Sequence, residues 1–137
     1  MSDDPEIRIV SRLFEAFTHR DLEAMLTLVS EDMEFTAPPT ATRARGGEPY
    51  IGQSGMTAYF ADIADVWRDL RVIPQHYRTH DGCVLATGRV YARDHAGSII
   101  DSPAGWLFRI RDGRVVSGRV YERAAEAVSA FEALRDG

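Results

Sequence analysis

The sequence predicts an α+β fold in which helices are segregated onto one face of a curved antiparallel sheet. Three observations carry that expectation. Apolar residues recur at helical spacing through the first half of the chain, the period changes to two from Leu70 onward, and turn signals at Asp81 with Gly82, Asp94 to Gly97, and Asp112 with Gly113 divide the second half. Helices first and strands afterwards, with no βαβ alternation and no internal repeat, is the order of an α+β layer architecture.

Each element follows from local chemistry. Asp4 is an N-cap with Pro5 at the first helical position, and Ile7, Val10, Phe14 and Phe17 then recur on one helical face. Asp21 caps a second, shorter helix whose apolar face is Leu22, Met25, Leu26 and Val29, with Ser30 to Asp32 as its exit. Met33 to Ala37 reads as a short strand. Pro38 to Gln53, with three prolines and three glycines, reads as a long connection without periodicity, the kind of loop that serves as a rim or lid. Ser54 is the expected cap of a third helix carrying Met56, Tyr59, Phe60, Ile63, Val66 and Trp67. Four strand-like runs follow, 70–79, 83–93, 98–111 and 115–122, with Pro103 marking a bulge or an exposed edge. Ala124 to Leu134 closes the chain as a helix.

At 137 residues the chain has the size of one domain, 1–137, large enough to bury a core without staples. Hydrophobic residues at 45% and charged residues at 27% are ordinary for a globular protein. The net charge of −5 and a pI near 5.3 lack the basic footprint that phosphate backbones demand, which argues against nucleic-acid binding. A polar, acidic start from Met1 to Glu6 and the lack of any membrane-length apolar run give the expectation of a cytoplasmic protein with no membrane partner. The single cysteine, Cys83, excludes an internal disulfide and reads as a small buried hydrophobe.

Several stretches carry a family resemblance: Asp21-Leu-Glu-Ala-Met-Leu-Thr-Leu-Val-Ser-Glu-Asp-Met-Glu-Phe, the helix end Trp67-Arg-Asp-Leu-Arg-Val, and Trp106-Leu-Phe-Arg-Ile-Arg-Asp-Gly-Arg-Val-Val followed by Val120-Tyr121. Together with the element order, they make nearly the whole chain resemble bacterial SnoaL-like domains of the nuclear transport factor 2-like superfamily. These motifs form turns and packing contacts, so they specify fold better than chemistry. The resemblance implies a cone-shaped α+β barrel, with helices packed on the concave face of the sheet and an open mouth for a small apolar organic ligand.

Counting alternate residues from the turn at Asp81 places Thr87, Arg89 and Tyr91 in that cone, with Trp106 and Phe108, and with Gly118, Val120 and Glu122 from the last strand. Leu13, Phe17, Phe35, Ala37 and Phe60 would line the opposite wall. A slip of one residue would invert each strand's list. The expected ligand-binding set is therefore Phe17, Phe35, Phe60, Thr87, Arg89, Tyr91, Trp106 and Phe108.

The catalytic sets of related families are incomplete here. Ketosteroid isomerases use an aspartate base with a tyrosine and a protonated aspartic acid; those positions fall on Ala37, Leu13 and Trp106. Limonene epoxide hydrolases resemble this scaffold with an aspartate, arginine, aspartate set, of which Arg89 alone survives, the acids falling on Tyr91 and Val120. The acid of SnoaL-type polyketide cyclases also falls on Val120. The remaining catalytic candidates are Arg89, Tyr91 and Glu122. In one reading the Arg89 guanidinium receives a carboxylate, enolate or carbonyl oxygen with Tyr91 as second donor; in the other, Arg89 pairs with Glu122 or lies outside in solvent.

Other motifs weaken on inspection. His76 and His80 are four strand residues apart, about 13 Å, too far for one ion, so no metal site and no cofactor are expected. Gly52-Gln-Ser-Gly-Met lacks the second glycine and the strand of a nucleophile elbow. Arg43 and Arg45 beside Gly46 and Gly47 lack a phosphate cradle. The functional expectation is a small-molecule-binding domain carrying out a cofactor-independent isomerisation, cyclisation or epoxide hydration with a non-standard site. The alternative is a non-catalytic ligand-binding or dimeric assembly module. A homodimer is expected through an outer sheet face of Val90, Leu107, Arg109, Arg119 and Tyr121.

Overall fold

The computed structural model describes residues 4–136; Met1 to Asp3 of the polar start, and Gly137, lie outside the described residues. Helix α1 (Pro5–Thr18) begins as its sequence requires, the Asp4 carboxylate accepting the N–H groups of Glu6 at 2.8 Å and Ile7 at 3.2 Å. It buries Val10, Leu13, Phe14, Ala16 and Phe17. Helix α2 (Leu22–Leu28) is capped by Asp21, which accepts from Ala24 N–H at 3.0 Å. Strand β1 (Val29–Thr36) starts earlier than expected: Val29 leaves the helix and is fully buried in the sheet.

The stretch 38–53 is more ordered than its composition suggests. It holds a helix, α3 (Pro38–Arg45), and a two-residue strand, β2 (Tyr50–Ile51). Paired prolines at 38 and 39 preset helical φ where missing N–H groups cost nothing, and Gly46 at φ 65° closes the helix in the left-handed region. Only Thr40 and Ala41 of α3 are buried, so no apolar stripe announces it. A clamp ties this segment to α4 (Gly52–Val66): the Tyr50 hydroxyl donates to Asp62 at 2.8 Å, Arg45 Nε lies 3.4 Å from Asp62, and the Arg45 guanidinium covers the Tyr50 ring at 4.2 Å. Helix α4 begins two residues ahead of Ser54 and has no side-chain cap, so the expected capping role of Ser54 is corrected.

Strands β3 (Trp67–His80), β4 (Cys83–Asp94), β5 (Ile99–Arg111) and β6 (Arg114–Tyr121) form the expected antiparallel meander. The six-stranded sheet runs β2-β1-β6-β5-β4-β3 and is mixed, because β1 lies parallel to β6. Pro103 pairs with Arg89 on β4, but the register with β6 starts only at Gly105, so the proline stands where that side of β5 has no strand neighbour.

The two faces of the meander have different covers. On the inner face, Val84, Ala86, Ala92, Trp106 and Phe108 join α1, α2, β1 and α4 in one core. On the outer face, Cys83 and Leu85 pack against Ala127 and Phe131 of α5 (Ala124–Asp136) in a separate cluster. Gly105 is the point of closest approach there: a Cβ on it would lie 2.4 Å from the Ala127 Cβ. Substituting Gly105→Ala is therefore expected to push α5 off the sheet and cost about 1–3 kcal/mol, the usual cost of overpacking. Urea unfolding measures it, and a midpoint unchanged from wild type would show that α5 yields freely.

Candidate functional site

Between the inner face of the sheet and the helices lie two neighbouring chambers. The smaller, about 40 Å³, is lined by Leu13, Phe14, Phe17, Met25, Met33, Phe35, Met56, Tyr59, Val72, Trp106 and Phe108. No charged side chain reaches it. The larger, about 190 Å³, is bounded by α3 (Pro39, Thr40, Arg43), by Trp67, Leu70 and Val72 of β3, by Val90 and Ala92 of β4, by β5 from Ile100 to Trp106, and by Val120, Tyr121 and Glu122. Tyr59, Val72 and Trp106 belong to both and form the partition.

The space is a consequence of residue size. The inner face of β4 and β5 carries Ala86, Gly88, Ala92 and Ala104, paired across the two strands as Ala86 with Trp106, Gly88 with Ala104, and Ala92 with Ile100. Small residues on the sheet leave room that large ones would fill. Tyr59 stands across that room from α4. It stacks on Phe17 at 5.8 Å, meets Phe35 edge-on at 4.9 Å and Tyr50 at 5.0 Å. Burial pushes its hydroxyl pKa well above the ordinary tyrosine value, an effect that Tyr50 adds to and Arg20 opposes, so it stays a neutral donor across the accessible pH range.

The larger chamber carries the charged and most of the polar groups. The Trp67 indole N–H donates to Thr40 Oγ1 at 3.0 Å, and both residues are buried. The Arg43 guanidinium lies over the Trp67 ring at 4.7 Å and donates to Pro39 O at 2.7 Å. Ser102 and Glu122 complete the polar lining, and Glu122 is its one carboxylate. Replacing Thr40 by Val keeps the shape but leaves a buried indole N–H without a partner. The expected cost is about 1–3 kcal/mol of stability by urea unfolding; a cost within error of zero would mean that the N–H finds water instead.

The expected site residues separate into two groups. Phe17, Phe35, Trp106 and Phe108 line the smaller chamber, while Phe60 packs edge-on against Phe17 and lines neither. Thr87, Arg89 and Tyr91 lie on the outer face, a correction to the expected face of β4. Arg89 donates to Asp101 at 2.9 Å on that exposed surface, and Tyr91 lies under the Arg71 guanidinium at 5.8 Å. Arg89 thus pairs with neither Glu122 nor the cavity. Val90, expected outside, lines the larger chamber. The inversion has a physical cause: α5 covers the outer face at the start of β4, so Cys83, Val84, Leu85 and Ala86 are all buried and alternation there does not mark the inside. Thr40, Trp67 and Ser102 escaped sequence reasoning because α3 has no apolar period and β3 begins at Trp67, where the helix had been expected to end. Among the described residues, no group of three or more His, Cys, Asp or Glu side chains is arranged to hold a metal ion, and no helix is long and apolar enough to cross a membrane.

The family model described as "SnoaL-like domain" matches residues 10–118. No curated protein matches the sequence. Solved structures match the fold closely. A nuclear transport factor 2-like protein of unknown function from Burkholderia pseudomallei superposes with a TM-score of 0.79 at 19% identity, covering 92% of this chain and 96% of that one. TerC, co-crystallised with polyporic acid, gives 0.78 at 19% identity over 98% and 100% of the two chains. IdmH, a proposed polyketide cyclase from Streptomyces antibioticus, gives 0.70 at 20% identity over 93% and 98%.

Proposed function

We propose, from the premise that this chain belongs to the SnoaL-like domain family, that it binds a small apolar organic molecule between α3, α4 and the inner face of the sheet. The observation that carries this reading is the larger chamber: about 190 Å³, apolar on most of its wall, with Arg43 and Glu122 at its rim. A dry apolar cavity of roughly 150 Å³ admits benzene, whereas drug-sized ligands occupy roughly 300–1,000 Å³. The volume therefore favours a molecule of one ring, or two small ones. The smaller chamber holds no ring at its present size and suits a methyl or short alkyl group. TerC, of similar fold, was co-crystallised with polyporic acid, which is consistent with this use of the fold.

The test is direct binding. Ethylbenzene is expected to shift the resonances of Val90, Ala92 and Ala104 in a saturable titration, and Ala104→Leu, which projects into the chamber, is expected to weaken that binding at least tenfold. Unsaturable shifts, or binding indifferent to Leu at position 104, would place the ligand elsewhere.

Chemistry in this chamber, whether isomerisation, cyclisation or epoxide hydration, has one carboxylate to run through, Glu122. Glu122→Gln is expected to preserve ligand affinity and to lower turnover of any substrate by about 10²–10⁴-fold, the usual contribution of a positioned acid or base. Unchanged turnover would remove Glu122 from the chemistry.

The outer sheet face supports the dimeric assembly expectation. It carries the exposed Ile73 (46%) and Ile99 (61%) next to the Arg89–Asp101 pair and the Arg119–Tyr121 stack. Two copies meeting there would cover both isoleucines. Sedimentation at micromolar concentration is expected to give a dimer that Ile73→Lys dissociates, and a monomer in the unmodified protein would eliminate this interface.

A further inference from the structure

The partition between the two chambers holds two polar hydrogens with no protein acceptor. Tyr59 and Trp106 are 7% and 3% exposed, and among the described residues neither the Tyr59 hydroxyl nor the Trp106 indole N–H has a hydrogen-bond partner. The contrast with their neighbours is sharp, since the Tyr50 hydroxyl is held by Asp62 and the Trp67 N–H by Thr40. Nor are the two groups sealed into packing. The sealed unpartnered side-chain atoms among the described residues are Arg45 Nε and Arg93 Nε. The Tyr59 oxygen and the Trp106 nitrogen are not among them, and both residues line the two chambers.

Buried polar groups in folded proteins are almost always satisfied. Two unsatisfied donors, one from α4 and one from β5, on residues that line the same two chambers call for an acceptor that arrives from outside. An indole N–H donates only, and burial keeps the Tyr59 hydroxyl protonated. The smaller chamber is otherwise walled by leucine, methionine, valine and phenylalanine, so a charged acceptor would be desolvated there.

We propose that Tyr59 and Trp106 form a paired donor site for the neutral oxygen, a ketone carbonyl above all, of a one- or two-ring ligand. Its ring lies in the larger chamber and its small alkyl substituent in the smaller one. This assignment rests on the cavity-binding reading above and adds the polarity and direction of the ligand.

The test compares acetophenone with ethylbenzene, which share a shape and differ in the carbonyl. Wild-type protein is expected to bind acetophenone more tightly, by about three- to tenfold for each hydrogen bond gained. Its carbonyl stretching band is expected to move to lower frequency on binding. Y59F removes one oxygen that bonds to nothing in the described protein, so the fold should persist. Its preference for acetophenone over ethylbenzene should fall about three- to tenfold, with part of the band shift lost. W106F is expected to lose a further part of the band shift, read spectroscopically because the smaller ring also alters the cavity. Equal affinity of the two compounds for wild type, or an unchanged preference and band in Y59F, would overturn the donor assignment while leaving the cavity reading intact. If neither compound binds, the cavity reading falls and the donor site falls with it.

Discussion

The arrangement depends first on one uninterrupted register, that of β4 with β5. From Cys83 opposite Arg109 to Arg93 opposite Ile99 the two strands pair without a shift. That register decides which side chains face the helices, because opposed residues share a face and neighbours alternate. It puts Trp106 beside Ala86 and Phe108 beside Val84 on the inside, and leaves Arg89, Tyr91 and Asp101 together outside. A slip by one residue would bury an ion pair and expose two aromatic rings, so the fold tolerates no alternative. The neighbouring pairs are less regular: β3 shifts near Trp67 and Pro74, and β5 with β6 between Arg109 and Ile110. The irregularities lie in the pairs flanking β4–β5, as expected where bulges bend a sheet around an interior.

Sequence patterning disclosed the skeleton and misjudged a face. The Asp4 and Asp21 caps, the Asp81–Gly82 and Asp112–Gly113 turns and the amphipathic stripes of α1 and α4 are local signals, readable because a cap or a two-residue turn has few solutions. The orientation of β4 was not local. Its first four residues are buried on both sides by elements far away in the chain, α1 and α5, so the sequence there reads as a continuous apolar run. Periodicity identifies a strand in such a run and is silent on its facing. Helix α3 was hidden for a related reason. What holds it is Pro38 and Pro39 at its start, Gly46 at its end and the Arg45–Tyr50–Asp62 clamp, none of which produces an apolar period.

The aromatic residues Phe17, Phe35, Trp106 and Phe108 were legible as inner residues because each follows the apolar period of its own helix or strand. The volume between them was not. A cavity is set by small residues as much as by large ones, and Ala86, Gly88, Ala92 and Ala104 on a strand look like weak strand formers until the opposing elements are placed. Leaving such space open is not free of consequence. At the roughly 24 cal/mol per Å³ seen when core side chains are truncated, a dry void of 190 Å³ would forgo up to about 5 kcal/mol of packing. That is a large part of a small domain's stability. Keeping it while the surrounding core is fully packed is physically coherent if a ligand restores the missing contacts.

The polar groups are distributed so as to give such a ligand a direction. Charge stays at the rim, where Arg43 rests on Trp67 and Glu122 reaches water. The middle of the cavity offers donors and no charged acceptor, and its far end is methionine, leucine and phenylalanine. A molecule entering past Arg43 therefore meets charge, then hydrogen-bond donors, then hydrocarbon. Reversing it would press its oxygen against Met25 and Met33 and its alkyl end against Tyr59, losing the hydrogen bonds and gaining no compensating contact. A cavity graded in this way selects by polarity as well as by size, and it does so with Tyr59 on α4, Trp106 on β5 and Glu122 just after β6, which only the tertiary fold brings to one chamber.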